Sequence, residues 1–88
     1  MKESWSPALH VTEREGGCRL YLEGVACGDG ATLQDAADEL VSRVFRVATA
    51  LRGAGLAVPS ELPVWSYLDE LGELAERGDD LRARVLAG

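Results

Sequence analysis

The chain has 88 residues, 47% hydrophobic and 27% charged, with a formal net charge of −6. That balance excludes a disordered chain and is enough for one small domain with a helical appendage, whose thin core makes association a natural supplement. The acidity argues against nucleic acid and an anionic membrane surface as partners, because both are held through Lys and Arg.

The opening MKESWSPALHV has no apolar run of signal-peptide length, and no later run approaches a bilayer span. A cytoplasmic chain without a membrane partner is the expectation. Cys18 and Cys27 are the only cysteines. They are too few for a disulfide framework or a closed zinc site, and read as buried thiols in a reducing compartment.

Residues 8–12 and 18–23 alternate with a period of two, as half-buried strands do. Leu9 and Val11 share one face of the first strand; Cys18, Leu20 and Leu22 share one face of the second. The linking EREGG reads as a hairpin loop, and VAC at 25–27 as a third strand ending in a tight, glycine-rich turn. Thr32 is a natural N-cap for a helix over 33–52, with Asp35 three residues on. Early acids and late arginines complement the helix dipole, and Glu39 and Arg43 form an i, i+4 pair. Leu33, Ala37, Leu40, Val41, Val44, Ala48 and Leu51 make one apolar stripe. Phe45 and Val47 widen it beyond what a small sheet requires, which predicts a further cover. Gly53, Gly55 and Pro59 stop the helix. Residues 56–64 read as an extended connector with an edge strand at 56–58. A second helix is predicted from Val64 to Arg77, carrying Trp65, Leu68, Leu71 and Leu74. After Gly78, Asp79 or Asp80 caps a last short helix through Leu86.

Catalysis needs a base with a partner, and His10 is the only histidine. In the alternating register it points away from Cys18. The carboxylates sit where solvated faces and helix starts place them, and GDGATLQD lacks the pattern of a calcium loop or phosphate cradle. No catalytic, cofactor or metal site is expected. A helix-turn-helix reading of the tail fails on charge, since residues 59–88 hold seven acids against three bases.

The order strand, EGG hairpin, strand, glycine-rich turn, GATLQDAADELV and GLAVPS resembles the HicB-like antitoxins of toxin–antitoxin pairs. Gly30, Thr32, Leu33, Asp35, Ala36, Gly55 and Pro59 carry the resemblance, which covers residues 8 to 60 approximately. Where that family has Pro-Asp-x-Pro-Gly-Cys, this chain has Leu22-Glu23-Gly24-Val25-Ala26-Cys27. Its acidic tail is also unlike the family's DNA-binding tails. The resemblance implies a partial RNase H-like fold without catalytic carboxylates, a homodimer or larger homo-oligomer, and a small basic toxin neutralised by steric occlusion.

The expected architecture is α+β: a small antiparallel β-β-β-α-β sheet with one long helix packed on it (residues 1–60), then a helical C-terminal extension (61–88). The candidate partner surface comprises the aromatics Tyr21, Phe45, Trp65 and Tyr67 with the acids Glu23, Asp38 and Glu39. A small homo-oligomeric assembly protein with no toxin partner is the alternative, with all four aromatics in a core or a homodimer contact.

Overall fold

A computed structural model describes residues 5–54 and 63–86. The element order is β1 (Leu9–Arg14), β2 (Gly17–Leu22), β3 (Ala26–Gly30), α1 (Leu33–Gly53), α2 (Pro63–Glu76) and α3 (Arg82–Leu86). The class is α+β. The three strands form an antiparallel meander in the order β1-β2-β3. The edge strand expected at 56–58 lies outside the described residues.

Tight turns set the register. Arg14 pairs with Gly17 across Glu15–Gly16, and Leu22 pairs with Ala26 across Glu23–Val25. Gly16 and Gly24 take φ of 88° and 78°, where a Cβ is disfavoured. Leu20 and Leu22 then face the helices and are buried, while Tyr21 faces the other way.

The third strand is longer than the sequence pattern indicates, because Gly28 and Gly30 belong to it. They form the seat of α1 rather than a turn. A Cβ on Gly28 would strike the Ala36 carbonyl and the Leu40 amide, and would stand 2.9 Å from the Leu40 Cα. A Cβ on Gly30 would stand 2.6 Å from the Ala36 nitrogen. The helix therefore rests backbone against backbone on β3, a contact that glycine permits.

Thr32 caps α1 as expected, its hydroxyl accepting the Asp35 N–H at 3.1 Å. Ala36, Ala37, Leu40, Val44 and Ala48 are the buried stripe. Leu33 is 50% exposed instead of buried. Asp35 already stands over the last residue of β3, so Leu33 projects past the sheet. Val11 is 55% exposed although it shares the inner face, because α1 rides over β3 and β2.

Helix α2 begins on a proline, whose missing N–H costs nothing at a first turn. It ends where Gly78 (φ 76°) turns left-handed, with the Asp79 N–H returning to the Leu74 carbonyl at 2.9 Å and the Gly78 N–H to the Ala75 carbonyl at 3.0 Å. Asp80 then caps α3, accepting the Arg82 N–H at 2.9 Å. Both helices dock on the core: Tyr67, Leu68, Leu71, Leu81 and Val85 join Leu20, Leu22, Leu40 and Val44 in one cluster. Each such fully buried aliphatic side chain contributes about 1.5–3 kcal/mol. No described helix is long and apolar enough to cross a membrane.

Candidate functional site

The outer face of the sheet is the face that the core helices leave uncovered. Strand alternation brings His10, Tyr21 and Cys27 into one row across the three strands, since His10 pairs with Tyr21 and Tyr21 with Cys27. The His10 and Tyr21 rings stack at 5.8 Å with 22° between planes. Glu23 lies 2.9 Å from His10 Nε2, and the Tyr21 hydroxyl accepts the Gly24 N–H at 3.3 Å. Tyr21 is thus held in place yet 43% exposed. In the next row Arg19 donates to both Asp29 oxygens, at 2.6 and 3.4 Å. That hydrogen bond is the main reason the Asp29 carboxyl stays below the ordinary aspartate range.

The second surface is the solvent side of α1. Phe45 is 45% exposed, and Val47 is exposed as well, so the cover expected over them does not come from the described part of the chain. Asp38 is engaged by Arg82 of α3. Glu39 lies 2.7 Å from Arg43 and accepts the Asp29 N–H at 3.4 Å. Arg43 donates to the Cys27 carbonyl at 2.8 Å.

Trp65 and Tyr67 belong elsewhere. Trp65 is half-buried against the core. Tyr67 is only 2% exposed, so it is a core residue and cannot act as an exposed anchor. Trp5 meets its ring edge-on at 6.1 Å, and the Arg84 guanidinium stands 4.8 Å above it. Burial pushes the phenol above its ordinary range, with Arg84 opposing. The Tyr67 hydroxyl has no hydrogen-bond partner among the described residues. Arg84 also donates to Glu70 and Ser6 and, at 2.9 Å, to the Trp5 carbonyl, which ties the start of the described chain to its last helix.

The seven residues therefore divide. Tyr21 and Glu23 share the outer sheet face, Asp38, Glu39 and Phe45 lie on α1, and Trp65 and Tyr67 pack inward. No family model, curated protein or solved structure matches this chain.

Cys18 is opposite Glu13 and hence on the inner face, whereas Cys27 shares the outer face with His10. His10 and Cys27 stand two strands apart, about 10 Å, with Tyr21 between them. Among the described residues no group of three or more His, Cys, Asp or Glu side chains is placed to hold a metal ion. What the arrangement offers is a set of positioned apolar and aromatic side chains on rigid elements, bordered by acids. Trp5, the Arg19–Asp29 pair and Arg84 escape sequence reasoning. Asp29 is 10 residues from Arg19, and Glu70, Ser6 and Trp5 are 14, 78 and 79 residues from Arg84, so only folding brings these partners together.

Proposed function

We propose that this protein is a non-enzymatic interaction module that works in the cytoplasm and, like a HicB-type antitoxin, neutralises a small basic toxin by covering it. The observation that carries the reading is the coexistence of exposed Tyr21, Phe45 and Val47 on ordered elements with a net charge of −6. Large apolar side chains left outside the core supply binding energy, and an acidic surround steers and orients a basic partner. The β-β-β-α order and the Gly30–Ala36 junction add the support of the family resemblance. Tyr21 and Phe45 are the anchors in this reading. Glu23, Asp38 and Glu39 act at the rim, each already held by an internal partner. Trp65 is a secondary contact.

The test is to identify the product of the adjacent gene, which this reading expects to be a small basic protein, and to co-express the two, followed by pull-down and a ribonuclease assay. Retention of that protein, loss of its RNA cleavage, and weakening of both by Phe45→Asp are the expected results. Failure to retain a basic partner overturns the reading.

The alternative, a homo-oligomeric assembly protein, is favoured by a separate observation. Val11 stands half-exposed on the inner face of an edge strand.

A further inference from the structure

The two edges of the sheet are treated differently. At β3 the outward-pointing backbone groups belong to Cys27 and Asp29, and α1 reaches both: Arg43 donates to the Cys27 carbonyl at 2.8 Å, and Glu39 accepts the Asp29 N–H at 3.4 Å. That edge is blocked in a way natural sheets use against unwanted pairing. At β1 the Glu23 N–H donates to the Ala8 carbonyl at 2.9 Å, which sets the phase of the ladder. His10, Thr12 and Arg14 turn their backbone groups toward β2, and Leu9, Val11 and Glu13 turn theirs outward. Among the described residues nothing hydrogen-bonds to those outward groups. The strand has no proline and no bulge, and Val11 is the exposed apolar side chain at its middle.

We infer that β1 pairs with β1 of a second copy, antiparallel about a two-fold axis through Val11, so that two sheets join into one. The register follows from the residues. With the axis on Val11, Leu9 faces Glu13 of the second copy and His10 faces Thr12. All three outward residues of each strand then exchange N–H and C=O groups, about six hydrogen bonds, and no like charges meet. Val11 is buried against its own copy. With the axis on Thr12, His10 would face Arg14. With the axis on Glu13, two carboxylates would face each other. With the axis on His10, Glu13 would face Pro7, which has no N–H to give. The strand is thus complementary to itself in one register. This inference is read on the chain alone and stands apart from the basic partner, so either can fail without the other.

The test is the mass of the full chain in solution by light scattering and sedimentation, with amide hydrogen exchange at several concentrations. The expected result is twice the chain mass at high concentration, with slow exchange at Leu9, Val11 and Glu13 that is lost on dilution. In Val11→Pro the missing N–H is an outward one, so β1–β2 pairing survives and the mass falls to one chain; far-UV circular dichroism checks the fold. Should that variant fail to fold, Val11→Lys places two ammonium groups at the axis and gives the same result. Val11→Cys cross-links into a covalent dimer on mild oxidation, where the parent with its own two cysteines does not. A parent that stays monomeric overturns the inference. So does a dimer indifferent to both Val11→Pro and Val11→Lys, or slow exchange at those amides in a monomer, which would mean that the chain covers its own edge.

Discussion

The Arg52 side chain of α1 lies across Gly72 of α2, in the space a Cβ would occupy, and reaches an acid on either side of it. Its guanidinium donates to Asp69 at 2.9 Å and to Glu76 at 3.0 and 2.9 Å. The absent side chain at 72 is what lets a long cation lie flat between two helices and bind one turn on each side.

Gly72→Ala therefore sets two effects against each other. Alanine favours a helix interior over glycine by about 1 kcal/mol. Its methyl would displace the Arg52 stem and its three hydrogen bonds, and overpacking of this kind costs about 1–3 kcal/mol. Gly72→Ala alone is expected to destabilise, but in an Arg52→Ala background the same change is expected to stabilise. Urea melts of the four proteins decide it, and equal effects in both backgrounds would refute the coupling.

Gly28→Ala is expected to be far more damaging, at about 3 kcal/mol or more, because the obstructing atoms are backbone atoms of α1 that have no rotamer to retreat to. Gly53→Ala, at a position where nothing stands within 4 Å, is the matched control and is expected to leave the melting temperature unchanged or raise it.

The Arg52–Glu76 pair also predicts a pH dependence. The hydrogen bond from Arg52 is the first cause, ahead of simple charge attraction, that holds the Glu76 carboxyl below the ordinary glutamate range. A carboxyl whose pKa is lower in the folded chain contributes stability above its unfolded pKa, and that contribution is lost as pH falls through the folded value. Ordinary glutamate titrates near about 4.3. The stability gap between the parent and Arg52→Gln is thus expected to be constant above about pH 5.5 and to close as pH falls below about 4. A gap that does not change with pH would contradict this role for Glu76.

Tyr67 and Phe45 are expected to behave oppositely. Tyr67→Phe deletes a buried hydroxyl that has no partner among the described residues, and is expected to be neutral or stabilising by about 1 kcal/mol. Tyr67→Ala is expected to cost about 3–5 kcal/mol. Phe45→Ala, on an exposed helix face, is expected to stay within about 0.5 kcal/mol of the parent in thermal melts while weakening any partner complex. A large stability loss at Phe45 would place it in the core instead.

The three strands, α1 with its Thr32 cap, and the two later helices are legible in the amino-acid order, because alternation, caps and glycine stops are short-range signals. So is the division of β2 into an inner face with Leu20 and Leu22 and an outer face with Tyr21. Three features depend on contacts between distant residues, and the tertiary structure decided them. Gly28 and Gly30 look like a turn in a linear reading; that they are a strand seat is visible only when α1 lies on them. Tyr67 carries the same aromatic signal as Tyr21, yet Trp5 and Arg84 close over one while the outer face leaves the other open. Among the described residues β1 and β3 are both edge strands, and only the lean of α1 toward β3 puts Arg43 and Glu39 on one edge while none of those residues bonds to the other. Local pattern tells which way a side chain points; what it meets there is set by residues far along the chain.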